Sequence, residues 1–356
     1  MRVLITGGAG FIGSHLAEAL LDRGDEVFVL DNLSTGSITN LDHVRNRSGL
    51  HVAVDSVTNE RAVAELVDYA DGVVHLAAAV GARLVVDEPI RTIETNVNGT
   101  EVVLRHASKK RKPVLVASTS EVYGHSDALP FREDEHLVIG PTSARRWGYA
   151  ASKILDECLA LGYWHERKLP VTVVRLFNTV GPKQTNRYGM VVPTFVRQAL
   201  TGLPMTVHGD GSQTRSFTYV GDVASAIIGL LDEPRAVGQI INIGNDEEVS
   251  ILALAQKIKV LTGSSSEITL VPYAQDGFED VRRRVPDLSK IHALIGYEPQ
   301  VALSGILHRV IEYWRSEQKR LAAAAAPVPA RATARPSRVD RRVGTIRPEP
   351  ATVATL

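Results

Sequence analysis

Tyr149 and Lys153 stand four residues apart in the stretch YAASK. On a helix that spacing puts both side chains on one face. A free tyrosine titrates near ~10, and an ammonium one turn away favours the phenolate. Such a phenol can take a proton from a hydroxyl while a hydride leaves the same carbon. Upstream, the apolar run VLVA ends in Ser118-Thr119-Ser120-Glu121. Thr119 can hold the reacting hydroxyl in place. Two hydroxyls and then a carboxylate is an uncommon strand end, and it raises the question of what the acid is for. A Tyr-x-x-x-Lys alone arises by chance and is usually structural, so its weight depends on what precedes it.

What precedes it is a hydride acceptor's binding turn. TGGAGFIGSH reads as Gly7-x-x-Gly10-x-x-Gly13 and also as Gly8-x-Gly10-x-x-Gly13. Glycines let the turn tighten and let the backbone approach a pyrophosphate, while the following helix start supplies N–H donors and the positive dipole end. Asp31 lies about 20 residues further on, where an acid bonds a ribose 2′-hydroxyl. A 2′-phosphate would meet a carboxylate there, so NAD is expected rather than NADP. A positive nicotinamide ring would then add to the forces favouring the Tyr149 phenolate. Asp55 could bond the adenine amine, and His75-Leu76-Ala77-Ala78 brings small residues alongside the cofactor. His75 reads as a packed strand histidine, not a catalyst. The 11 histidines show no metal-like spacing with Cys, Asp or Glu, so no metal site is expected.

The elements that must position these groups follow from the pattern of the chain. Apolar strands at 2–6, 26–30, 51–55, 72–78, 114–118 and 171–177 alternate with helical patterns, including long ones at 90–110 and 147–167. Continuously apolar strands in β-α repetition predict an α/β fold with a doubly wound parallel sheet covered on both faces. Residues 1–177 are expected to bind the cofactor. Residues 178–320, with Gly- and Pro-rich loops, are expected to form a smaller, irregular α/β substrate domain from which the chain can cross back. The Ala-, Pro- and Arg-rich stretch 321–356 is expected to be disordered. The formal net charge of +0 excludes a global field toward nucleic acid or an anionic membrane. No export signal or membrane-spanning run is read, and one cysteine, Cys158, fits a reducing, cytoplasmic setting. Cys158 reads as a small buried apolar residue, and Trp147 as packing at a helix start.

Taken in order, the glycine turn, Asp31, HLAA, NVNGT, STSEVYG, Tyr149-x-x-x-Lys153 and RLFNTVGP resemble the extended short-chain dehydrogenase/reductases that act on nucleotide sugars. The resemblance spans about residues 1–318. It implies a Rossmann domain, tightly held NAD, a UDP-sugar or related substrate oxidised transiently at C4, and a homodimer pairing the helices near 90–110 and 147–167. The cofactor contacts it implies are Gly7, Gly10, Phe11, Ile12, Gly13, Asp31, Asn32, Ser34, Gly36, Asp55, Ser56, Leu76, Ala77, Ala78, Asn96, Thr119, Tyr149, Lys153 and Phe177. Asn178, Val191, Arg215 and Arg284 are implied for the substrate, with Arg215 on the diphosphate through paired N–H donors.

The same resemblance addresses the carboxylate. Members that only epimerise at C4 usually lack an acid after the strand-end hydroxyls. Thr119-Ser120-Glu121 is similar to the 4,6-dehydratases and to the UDP-glucuronate decarboxylases. RRRVPDL, within the stretch 277–291, resembles the decarboxylases' Arg-Lys-Pro segment, where an arginine stands near the sugar carboxylate, and RRWGY resembles an Arg-Trp-x-Tyr stretch in a related decarboxylase. The loop 124–146 departs from the decarboxylase pattern. The expectation is therefore an NAD-dependent UDP-glucuronate decarboxylase, with a UDP-sugar 4-epimerase and a 4,6-dehydratase as rivals. Thr119, Ser120, Glu121, Tyr149, Lys153 and Arg284 would be its catalytic set. The plain alternative for Arg284 is membership of a basic surface run with Arg282 and Arg283.

Overall fold

The first glycine turn sits where it does because seven parallel strands place it there. The computed structural model describes residues 1–185, 189–272 and 281–325. Residues Met1–Glu317 form one compact unit and Gln318–Leu356 a second. Residues 326–356, most of the stretch expected to be disordered, lie outside the described residues.

In chain order the first half runs β1 (Arg2–Thr6), α1 (Phe11–Arg23), β2 (Glu26–Asp31), β3 (Leu50–Val54), α2 (Glu60–Tyr69), β4 (Gly72–His75), α3 (Ala82–Asp87), α4 (Pro89–Lys109), β5 (Val114–Thr119), α5 (Trp147–Arg167) and β6 (Val171–Leu176). The second half adds β7 (Thr179–Val180), α6 (Val191–Thr201), β8 (Met205–His208), β9 (Thr214–Ser216), β10 (Thr218–Tyr219), α7 (Val220–Leu231), β11 (Ile240–Ile243), β12 (Glu248–Ser250), α8 (Ile251–Thr262), β13 (Ile268–Val271), α9 (Ser289–Ile295) and α10 (Leu303–Ala325).

The main sheet has the order β11-β6-β5-β4-β1-β2-β3, with every pair parallel. Successive strand residues point to opposite faces. Val3 and Ile5 therefore pack with Leu16 and Leu20 of α1 and Val223 and Ile227 of α7. Leu4 turns the other way, toward Val63 of α2, Val103 of α4 and Ala160 of α5. Both faces are buried except at the edge strand β3, where Val52 and Val54 are exposed, which is why the inner strands read as unbroken apolar runs. The strand order reverses between β1 and β4, and the crevice beyond their carboxyl ends is where such sheets take ligands. The fold is a Rossmann-type doubly wound α/β sheet.

After β6 the chain leaves the sheet, and α6, α8 and α10 enclose an apolar core of their own around Phe195, Val196, Leu254, Ile258, Ile306 and Val310. It then returns: β11 joins the sheet beside β6 and α7 packs beside α1. One sequence reading is corrected. Cys158 is exposed. The buried positions of α5 are Trp147, Tyr149, Ala150, Ser152, Lys153, Asp156, Glu157 and Ala160, and residue 158 falls between those stripes on the outer side. Trp147 does pack, 3% exposed, at the start of α5.

Candidate active site

Gly7 has φ +74, and a Cβ there would lie 2.8 Å from the Ala77 backbone nitrogen. A Cβ on Gly13 would lie 2.3 Å from the Gly7 carbonyl oxygen, so any side chain would break the turn. Gly10 caps α1 with no side-chain hydrogen bond, which leaves the first helical N–H groups to face the crevice. Asp31, 8% exposed at the end of β2, accepts from the backbone N–H groups of Ala9 (3.0 Å) and Leu33 (2.8 Å). The carboxylate that can select a ribose also latches the glycine turn. Burial raises its pKa, against the opposing pull of those N–H donors. These features fit a dinucleotide: a cradle that only glycine can line, a helix start aimed into it, and an acid beside it.

Thr119 ends β5, and its hydroxyl accepts the Glu121 N–H at 3.2 Å, starting the turn Ser120–Tyr123. Tyr123 anchors that turn from below. It stacks on Phe131 at 4.6 Å and donates to Asn242 Oδ1 at 2.8 Å. Gly124 closes the turn at φ +62, where a Cβ would collide with the Val138 carbonyl. Glu121 is thereby carried into the cleft on a rigid support. The loop 124–146, unusual in sequence, reaches the segment that carries Arg284. Within it, Phe131 exchanges backbone hydrogen bonds with Val285 and Asp287 at 2.9 Å each. That stitching presents Arg284. Arg282 and Arg283 are exposed, whereas Arg284 is 7% exposed, and its Nη1 lies 3.8 Å from Glu121 Oε1. The basic run is thus divided by burial, and only its last member lines the cleft.

Tyr149 is 8% exposed on α5. Its pKa is pushed up, by burial first and then by the Glu121 carboxylate, with the Thr119 hydroxyl pulling the other way and Asp156 adding to the rise. Lys153 Nζ lies 2.7 Å from Asp156 Oδ2, and both side chains are buried. The expected help from a free ammonium is therefore offset by an acid that sequence reading did not single out. His75 is, as read, a packed strand histidine. Nδ1 meets the Thr6 hydroxyl at 2.7 Å, Nε2 meets the Thr100 hydroxyl at 2.9 Å, and burial pushes its pKa down to about 3.

A single cleft of about 840 Å³ joins the two ends and is lined by all the expected contact residues except Ser56 and Asn96. Ser56 hydrogen-bonds Thr58 instead. Asn96 is fully buried behind the wall, accepting from the Ala79 N–H at 2.8 Å and donating to Ser152 Oγ at 3.0 Å. Asp55 lines the cleft while accepting from the Ser56 N–H and Asn59 Nδ2. Phe177, Asn178, Val191 and Arg215 line the cleft, and so do His208, Gln213, Tyr313 and Trp314, which the sequence did not single out. Arg146, noticed only as part of RRWGY, lines the wall near Tyr149 with its guanidinium 4.8 Å over the Trp147 ring. No cluster of three or more metal-ligating side chains occurs among the described residues, and none of their helices is long and apolar enough to cross a membrane.

Comparison with known proteins agrees with this geometry. The chain is 44% identical over 318 residues to a UDP-N-acetyl-alpha-D-glucosaminuronate decarboxylase of Bacillus cytotoxicus, covering 88% of this chain and 98% of that protein. It is 38% identical over 316 residues to UDP-glucuronic acid decarboxylase 1 of Xenopus tropicalis, covering 89% and 72%. Among solved structures it is similar to a UDP-glucuronic acid 4-epimerase from Bacillus cereus in complex with UDP-glucuronic acid and NAD, with TM-score 0.81 and 28% identity over 89% of this chain and 100% of that one. The model of the NAD dependent epimerase/dehydratase family matches residues 3–244, and with the glycine turn, Asp31 and the Tyr149–Lys153 pair in one cleft, the chain belongs to that family.

Proposed function

We propose that this enzyme decarboxylates a UDP-linked hexuronic acid, UDP-glucuronate in the first instance, to UDP-xylose or its 4-keto form. The observation that carries this reading is Arg284, buried in the cleft and facing Glu121. Bound NAD supplies reversible oxidation at the sugar C4. Gly7, Gly10, Gly13 and Asp31 would hold it. Tyr149 takes the C4 hydroxyl proton while Thr119 orients that hydroxyl. The product of this step is a β-keto acid. Its C5–C6 bond breaks, carbon dioxide leaves, and the electron pair passes into an enolate spanning C5 and C4. Arg284 holds the departing carboxylate through charge-assisted N–H donors. Glu121 and Ser120 orient the water or acid that returns a proton to C5. The segments between residues 178 and 320 that do not return to the main sheet grip the nucleotide, with Arg215 on the diphosphate.

The 44% relative favours a second substrate of the same class, a hexuronate with an acetamido group at C2. The test is incubation with UDP-glucuronate and, separately, UDP-N-acetylglucosaminuronate, following trapped carbon dioxide and the product sugar. Carbon dioxide from either supports decarboxylation, and the ratio identifies the substrate. Interconversion of C4 epimers without gas release would overturn decarboxylation in favour of the epimerase reading.

The enzyme is a homodimer in this proposal, joined through α4 and α5. Ile90 and Ile93 on α4 and Leu155 on α5 are 71%, 40% and 50% exposed, an apolar face that a second copy would cover. With one cysteine and no span-length apolar helix among the described residues, a cytoplasmic setting is proposed.

A further inference from the structure

Further along α5 from Tyr149, Lys153 enters a buried polar group whose acid the reaction described above does not use. Asp156 is fully buried and three residues from Lys153 on α5. Its Oδ2 accepts from Lys153 Nζ at 2.7 Å, and its Oδ1 has no hydrogen-bond partner. The Thr100 hydroxyl on α4, which meets His75 Nε2 at 2.9 Å, lies against the same carboxylate. Burial first, and then the Lys153 ammonium, disfavour protonation of His75 on β4, so it supplies no charge. Glu157, the next acid on α5, is engaged by Arg175 of β6 at 2.8 Å. Around the phenol itself stand Glu121 after β5, Thr119 at its end, and Asp156. Arg284 approaches Glu121.

A carboxylate this deep is costly unless a cation matches it. The match it finds is the lysine on which the activation of Tyr149 was expected to depend. We propose that Asp156 is a positioning residue: by a buried ion pair it fixes the Lys153 ammonium one helical turn from Tyr149 and offsets its charge, so that the ammonium alone does not ionise the phenol. Two of the three Lys153 donors stay free for other partners, and their direction is set by the ion pair. The field that ionises Tyr149 then has to come from what binds above it, and the base stays protonated otherwise. This deepens the proposed reaction at its first step and rests on Tyr149 as the base.

The test reads the phenol directly, in enzyme without sugar substrate, by difference absorbance of tyrosinate against the matching Tyr149→Phe protein. Asp156→Asn leaves the ammonium unmatched and should move Tyr149 ionisation down by roughly one to three pH units. Asp156→Glu should restore the wild-type titration. The double variant Lys153→Met/Asp156→Leu exchanges one neutral pair for another, a replacement buried ion pairs often tolerate, and should leave the titration where it is. An unmoved titration in Asp156→Asn would overturn the proposal. If that variant does not fold, a rise in the double variant overturns it instead, because the Lys153 charge would then have reached the phenol uncancelled. Carbon dioxide release plays no part in this readout, so failure of the decarboxylase reading is distinguishable.

Discussion

Arg284 Nη1 stands 3.8 Å from Glu121 Oε1 across the cleft, joining a strand-end turn to a segment far along the chain. The contact is too long for a direct hydrogen bond and leaves both groups able to receive a substrate. In the proposed reaction Glu121 acts after C4 oxidation. Glu121→Gln should therefore still reduce bound NAD on addition of UDP-glucuronate, while gas release slows. Arg284→Ala should lose about 2–5 kcal/mol of interaction with the sugar carboxylate and keep NAD binding. Single-turnover absorbance of NADH beside trapped carbon dioxide checks both. NADH that fails to form in Glu121→Gln would move Glu121 into the oxidation step.

Tyr149→Phe should lower turnover by ~10²–10⁴, the usual cost of losing a general base, with NAD binding unchanged. The pH dependence follows from the same residue. Its pKa is raised, so the phenolate fraction grows as pH rises, and C4 oxidation in wild type should rise with it on the alkaline side. A single-turnover rate that is flat with pH, or near-normal turnover in the phenylalanine variant, removes Tyr149 from the role.

Legibility in the sequence tracked how local the determinant was. The glycine turn, Asp31 and the pair Tyr149–Lys153 are each set by neighbours within one or two turns, and α4 and α5 begin and end within one residue of where periodicity placed them. Asp156 was missed because an acid three residues from a lysine looks the same on a buried helix face as on a solvated one. The rank of Arg284 over Arg282 and Arg283 depends on Phe131 pinning Val285 and Asp287, contacts that no spacing along the chain encodes. Cys158 was misread as buried because its residue type outweighed its helical phase.

Asp31→Ala should erase the preference for NAD over NADP, since the 2′-phosphate would no longer meet a carboxylate. It should also weaken binding of NAD itself, because the Ala9 and Leu33 N–H groups lose their acceptor and the glycine turn its latch. Calorimetric titration with both cofactors distinguishes the effects. An unchanged NAD/NADP ratio would sink the assignment.

Wild type should sediment as a dimer at micromolar concentration. Ile93→Glu with Leu155→Glu puts like charges on the face proposed to be shared and should give monomers with an intact fold by circular dichroism. A monomeric wild type rules the proposal out.

His75 supplies a pH dependence of stability that is separate from catalysis. Its folded pKa is about 3, against ~6.5 for an unfolded histidine. Between those values the unfolded chain binds a proton that the folded chain does not. Stability is thus fully present above the unfolded pKa and falls as pH drops toward the folded one, by up to ~1.4 kcal/mol per pH unit from this group. Carboxylates elsewhere add their own slopes, so the informative quantity is a difference. His75→Gln keeps a polar side chain near Thr6 and Thr100 but removes the titration. Its urea midpoint should lie below that of wild type at pH 7, and the gap should narrow as pH falls from about 6.5 toward about 4. Parallel curves across that window would mean that His75 takes up its proton in the folded chain as readily as in the unfolded one, through local opening of the network between β4 and α4.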